Sequence, residues 1–235
     1  MPTPDFQFVP GQCLDCGQSF NLSSIECNTC SKELPTAPQG GDALDYFGVF
    51  GLPRRLQLDL SALERKFYQL SRELHPDRFA RASAERQQWS LEQTSTLNDA
   101  YRTLRDGVAR TEYLLKLEGC GTEDAASAAT GVKDSRAPID MLEEVFELNM
   151  QLEQMRMSRK MGEDDPELRV ELELARTQFT AQLNALDAQL AEQWAAWDQS
   201  SSTHTKLILD AMRALLDRRR YLRNLVRDVN EALEA

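Results

Sequence analysis

From Leu168 onward, Leu168, Leu172, Ala175, Phe179, Leu183, Leu186, Leu190, Trp194 and Trp197 recur every three or four residues, with no proline or glycine between them. Residues spaced in this way fall on one face of an α-helix, so the run predicts a single helix about 30 residues and roughly 45 Å long. A stripe of that length has to be covered, and no alternating strand pattern follows residue 41 to cover it. Other helices must do so. Leu207, Ile208, Ala211, Met212, Leu215, Leu222, Leu225, Val226, Val229 and Leu233 supply one after a turn at Ser200 to Thr203, and residues 139–160 supply another. The expected fold class is mainly α, with an antiparallel three-helix bundle at the C-terminal end.

Two breaks divide the rest. Residues 35–42 read Pro-Thr-Ala-Pro-Gln-Gly-Gly-Asp, with four helix breakers and no periodicity, and residues 119–138 hold three glycines around an Ala/Ser/Thr-rich middle. The expected domains are 1–40, a small cysteine-bearing segment with its linker, then 42–118, a compact helical unit, and 119–235, a linker leading to the bundle. Within the middle unit, helices are expected over 45–52, 60–75, 83–105 and 109–118. In the second of these, Leu60, Leu63, Phe67, Leu70 and Leu74 form the apolar face. Asp59 or Ser61, with Glu64 three residues beyond, caps its start, and Pro76 ends it.

The formal net charge is −11 over 235 residues. It divides as −3 for residues 1–41, 0 for 42–118 and −8 for 119–235. Nucleic acid calls for a basic stripe that neutralises phosphates, so an acidic chain argues against it. No apolar run approaches the ~20 residues of a membrane span, and the N-terminus has neither the apolar region of a signal peptide nor the arginines of a transit peptide. No membrane association is expected. Cytoplasm is the expected compartment; a mitochondrial matrix protein whose targeting peptide has been removed would read the same.

Cys13, Cys16, Cys27 and Cys30 form two Cys-x-x-Cys pairs ten residues apart, with Gly17 just past the second ligand. Two such knuckles set four thiolates at the tetrahedral corners of a zinc ion, about 2.3 Å from it. A segment this small has little core of its own, so metal binding would supply its folding free energy. One structural zinc is the expected cofactor. Two disulfides, or a single iron in the same cage, are the competing readings. With all four positions filled by protein, the metal has no open site for catalysis. Cys120 lies far away and is read as a free thiol, and His204 as a solvated residue. Neither a phosphate loop nor a hydrolase elbow is present, and the chain is expected not to be an enzyme.

His75, Pro76 and Asp77 follow directly on the helix ending at Leu74. Seven cations, Arg54, Arg55, Arg65, Lys66, Arg72, Arg78 and Arg81, stand in residues 54–81 against four acids. Arg65, Gln69 and Arg72 lie opposite the apolar stripe, so a basic helix face leads into the His-Pro-Asp loop. A second helix reading Leu97, Ala100, Tyr101 and Leu104 follows. This pattern resembles a J-domain. Asp45-Tyr46-Phe47-Gly48-Val49-Phe50-Gly51-Leu52-Pro53 closely resembles the opening of the HscB family, the co-chaperones of iron-sulfur cluster assembly, and Arg110-Thr111-Glu112-Tyr113-Leu114-Leu115 is similar to that family too. A general DnaJ would continue into a Gly/Phe-rich segment, whereas this chain goes to an acidic helical bundle. The resemblance covers residues 45–235, and the tetracysteine segment resembles the extension of some members. It implies an antiparallel helical hairpin whose His75, Pro76, Asp77, Arg65, Lys66 and Arg72 dock on a DnaK/HscA-type ATPase chaperone and stimulate its hydrolysis.

The first bundle helix gives an independent reason to expect a partner. At about 100° per residue, Met141, Val145, Leu148, Leu152 and Met155 share one face, while Leu142, Phe146, Met150 and Met157 cluster on another. One helix of a three-helix bundle rarely hides both. The second stripe, edged by Glu143, Glu147 and Glu153, has the anatomy of a binding patch, apolar with a charged rim. The resemblance implies that the patch binds an IscU-like scaffold, placing Leu142, Phe146 and Glu147 on contact positions and Tyr221 on an aromatic contact position of the last helix. Tyr221 lies about 110° from the centre of its helix's apolar face, which reads as a surface position. Relatives carry Met where this chain has Glu143, and an acid where it has Met150.

The chain is thus expected to be an adaptor that brings the scaffold to the chaperone. Alternatives are a general J-protein with another client and a zinc-ribbon protein acting on nucleic acid. The cysteine segment contacts a partner, closes a homodimer or only steadies the N-terminus.

Overall fold

The computed structural model describes residues 11–12, 19–20, 45–120, 141–162, 165–200 and 205–234. Cys13, Cys16, Cys27, Cys30 and His204 lie outside them, as do both breaks apart from Gly119 and Cys120. Two short strands, β1 (Gly11–Gln12) and β2 (Ser19–Phe20), pair antiparallel, Gly11 with Phe20 and Gln12 with Ser19. The remaining described elements are helices in two compact units that divide between Thr111 and Glu112.

The first unit contains α1 (Tyr46–Val49), α2 (Leu60–Leu74), a 3-10 turn (Pro76–Phe79), α3 (Ala84–Arg105) and the start of α4 (Gly107–Leu117). Asp45 starts α1 by accepting from the Gly48 N–H at 2.8 Å. Of the two candidate caps for α2, Asp59 takes the role, accepting from the Ala62 N–H at 3.0 Å, and Ser61 lies inside the helix. The Asp59→Ala variant is expected to lose about 1 kcal/mol of stability, the usual worth of an N-cap, read as a small drop in the thermal midpoint.

Leu63, Leu70 and Leu74 of α2, Leu97, Ala100 and Leu104 of α3, and Phe47, Phe50 and Leu56 ahead of them are all buried. The hairpin is antiparallel: Phe67 stacks on Tyr101 at 4.1 Å between centroids, and the end of α2 at Leu74 meets Ser90. Leu60, expected in the core, is 47% exposed. With Phe67 opposite Tyr101, Leu60 falls just beyond Arg105, where α3 has already ended. Phe67 itself is half-buried.

The second unit is a three-helix bundle of α5 (Leu142–Met161), α6 (Pro166–Gln199) and α7 (Thr205–Glu234). Gly162 ends α5 in the left-handed region, at φ 74°. Asp165 caps α6 through the Leu168 N–H at 3.0 Å, with Pro166 in the first turn. Val145, Leu148, Leu152 and Met155 meet Leu168, Leu172, Phe179 and Leu186 and then Leu222, Leu225 and Val229 in one core. Polar ties fix the register: Gln182 to Glu144 and Gln151 to Glu171, both at 3.2 Å, join α5 to α6. Arg219 Nε to Asp187 Oδ1, at 2.5 Å, joins α6 to α7.

Toward the α6–α7 turn the apolar stripes are covered in part, with Leu190, Leu209 and Met212 still buried. Trp194 and Trp197 are half-buried and Leu207 is 71% exposed. The start of α5 lies level with Gln182 of α6, as the Glu144–Gln182 pair shows, so within this unit α5 does not run beside the last turns of α6 and the first of α7. Among the described residues no helix is long and apolar enough to cross a membrane.

Candidate functional site

Helix α2 stops because Pro76 offers no N–H to continue its ladder and disfavours helical geometry at the residue before it. His75 accordingly leaves the helix, at φ −58° and ψ 130°, and Pro76 opens the 3-10 turn. The imidazole caps that turn: His75 Nδ1 accepts from the Asp77 N–H at 3.3 Å. The Asp77 carboxylate lies 3.6 Å from the same nitrogen. At 3.6 Å the carboxylate contact is longer than a hydrogen bond and is a near approach. Both groups face solvent, with the His75 side chain 54% and the Asp77 side chain 92% exposed. Phe79 beneath them is buried and meets Trp89 edge-on at 5.8 Å.

On α2, Arg65, Gln69 and Arg72 are exposed along the face that leads into this turn. Gln69 donates to Glu73 at 3.1 Å. Lys66 is half-buried, and burial lowers its pKa, opposed by the negative charge of Glu73. It is a flank of the basic face, with Arg65 and Arg72 as its outward charges. Tyr68, which sequence reasoning did not single out, is 55% exposed on the same helix. Its only signal was an aromatic residue next to, but off, the apolar stripe.

A second surface lies on α5. Leu142 is 52%, Phe146 66%, Met150 60% and Met157 51% exposed, while Val145, Leu148, Leu152 and Met155 of the same helix enter the core. Glu143 and Glu147 are exposed beside them, and Glu153 pairs with Arg156 at 3.4 Å. Four large apolar side chains left in water along one helix form a patch that the bundle does not need for its own stability.

Tyr221 differs from its expected surface position. It is half-buried and packs against the bundle core, and burial, then the charge of Asp228, raises its phenol pKa. The apolar face of α7 turns along its length: Leu209, Met212 and Leu216 lie well around the helix from Leu222, Leu225 and Val229. A face averaged over the whole helix therefore placed Tyr221 too far out.

No other constellation competes. Among the described residues no three His, Cys, Asp or Glu side chains gather to hold a metal, and Cys120 is a free, half-buried thiol. Arg110 and Thr111, in the segment similar to the HscB family, are buried. The Arg110 guanidinium donates to the Leu104 carbonyl, and the Thr111 hydroxyl to that of Gly107 at 2.7 Å. Their part is structural, holding the α3–α4 corner.

No protein-family model matches the chain. Among solved structures it is similar to the chaperone HscB from Vibrio cholerae, with 27% identity over 81% of this chain and 98% of that one and a TM-score of 0.55. It is also similar in fold to the human co-chaperone protein HscB, with 22% identity over 94% of this chain and 97% of that one and a TM-score of 0.63. The chain thus shares the mainly α fold of these HscB co-chaperones, and it carries a His-Pro-Asp turn at the end of a basic helix.

Proposed function

We propose that the chain is a co-chaperone of iron-sulfur cluster assembly that recruits an IscU-like scaffold to a DnaK/HscA-type chaperone and stimulates the chaperone's ATPase. The observation that carries this reading is the presence of two exposed surfaces, one in each compact unit, on a protein with the HscB fold. One is a basic helix ending in an exposed His75 and Asp77; the other is the apolar patch of Leu142, Phe146 and Met150, with Glu147 at its rim. Cations around the first suit an acidic protein surface, where they speed encounter and set orientation. The second suits an apolar client surface. The reacting groups belong to the chaperone, and the His75–Asp77 turn acts by favouring one of its conformations, a coupling between sites. A protein of this kind is an adaptor, not an enzyme.

The test is to titrate purified chain into DnaK-type chaperone with and without purified IscU-like scaffold, following ATP hydrolysis. Stimulation by the chain, increased further by scaffold, is expected. Scaffold binding that collapses between low and moderate salt would instead mark a surface built for polyanions, as in the nucleic-acid alternative.

We further propose that Cys13, Cys16, Cys27 and Cys30 hold one structural zinc. The β1–β2 pairing supports this, because Gly11–Gln12 and Ser19–Phe20 bracket the first Cys-x-x-Cys as the two arms of a knuckle do. Protein purified without added metal should contain close to one zinc per chain by elemental analysis. In Cys13→Ser the zinc should be lost while the helical circular dichroism of the rest stays nearly unchanged. Iron at that stoichiometry, or two intact disulfides, would remove the zinc assignment.

A further inference from the structure

The carbonyl of Leu74, the last residue of α2, is held from outside the helix. With Pro76 lacking an N–H and His75 turned out of helical geometry, the terminal carbonyls of α2 need partners from elsewhere. Two hydroxyls of α3 reach the Leu74 oxygen: Ser90 Oγ, buried, at 2.6 Å and Thr94 Oγ1 at 3.2 Å. On the far side of the turn Gln87 Nε2 donates to the Ala82 carbonyl at 3.0 Å and to that of Ala80 at 3.3 Å. Residues 87, 90 and 94 are spaced by three and four, so one edge of α3 presents all three side chains. The His-Pro-Asp segment is thereby anchored immediately before His75 and just after Phe79, while His75 and Asp77 between the anchors stay exposed.

We propose that Gln87, Ser90 and Thr94 are a polar latch that positions the His75–Asp77 turn for its action on the chaperone. They are positioning residues and do not touch the chaperone through this role. The proposal rests on the J-domain reading above. A buried carbonyl whose donors are removed is left unsatisfied and seeks a new partner, and the residue most easily displaced is the one that follows it, His75. Chemistry and coupling that depend on orientation lose roughly tenfold or more from displacements of an ångström or less. Recruitment through Arg65 and Arg72, on the body of α2, does not depend on the latch.

The experiment compares the parent with Ser90→Ala/Thr94→Val, Gln87→Ala and, as the conservative control, Thr94→Ser. Two readouts are taken: chaperone ATPase stimulation as a function of chain concentration, and amide hydrogen exchange at Arg78, whose N–H bonds the His75 carbonyl at 2.9 Å. The double variant is expected to lose about tenfold in maximal stimulation, with the half-saturating concentration nearly unchanged, and to exchange Arg78 faster relative to the amides of mid-α2. Gln87→Ala should move both readouts the same way by a smaller factor, and Thr94→Ser should behave as the parent. Gln87 is exposed, so its variant decides the matter if the double variant fails to fold. Unchanged Arg78 exchange in the folded variants overturns the latch, as does full stimulation by them. If the parent itself stimulates nothing, the J-domain reading fails, and the exchange arm still judges the latch.

Discussion

Replacing His75 with Gln is expected to abolish stimulation of the chaperone ATPase while leaving scaffold binding at the parent's affinity. The side chain is half-exposed and its polar contacts, from the Asp77 N–H and with the Asp77 carboxylate, stay within its own turn, so nothing in the core collapses when the ring goes. What goes is a rigid imidazole held by the turn it caps, and a flexible amide in its place does not cap in the same geometry. A coupling between sites is typically worth about 1–3 kcal/mol, or roughly 5- to 150-fold, and its loss should bring stimulation close to background. The variant should melt within a few degrees of the parent, since the imidazole caps a single exposed turn and a lost side-chain cap costs about 0.5–2 kcal/mol. A folded His75→Gln protein that still stimulates hydrolysis fully would be inconsistent with a working J-domain. Reduced scaffold binding in the same variant would mean that the two surfaces are not independent.

The helices were legible because their apolar spacing persists over many turns. Leu168 through Leu190 needed only a period of three to four to be placed on one face, and the structure buries Leu168, Leu172, Phe179, Leu186 and Leu190 there. What spacing cannot tell is where the partner helix ends. Leu60 and Leu207 fit their stripes as well as their neighbours do, yet both lie where a packing partner has run out, and both are exposed. Tyr221 was misplaced for a related reason, since its apolar face shifts along α7. The turn at His75 was legible because proline acts locally. Its support was not: Ser90 and Thr94 carry meaning only once the register of the hairpin sets them against the Leu74 carbonyl, sixteen and twenty residues away in sequence. A serine and a threonine four apart are the sole trace of that contact in the sequence, and many solvated helices carry the same pair.

The exposed patch gives the second large effect. In the variant carrying Leu142→Ala, Phe146→Ala and Met150→Ala together, each side chain removed is more than half exposed, so truncation opens no core cavity and helix propensity favours alanine. Buried, Phe146→Ala alone would cost about 3–5 kcal/mol, and at 66% exposure it should cost far less. If the patch is the scaffold's seat, each anchor lost removes about 1–2 kcal/mol of binding. Together the three should weaken scaffold affinity by at least a hundredfold, with every 1.4 kcal/mol a factor of ten. Basal stimulation of the ATPase should remain, and the extra stimulation conferred by scaffold should vanish. Tyr221→Ala should behave differently, because its ring packs on the core: a lower melting temperature should accompany whatever binding it loses. A triple variant that melts like the parent and binds scaffold as tightly would falsify this site and leave the His75 surface intact. A triple variant that melts far below the parent would show instead that a neighbouring part of the chain covers the patch, making its apolar residues core after all.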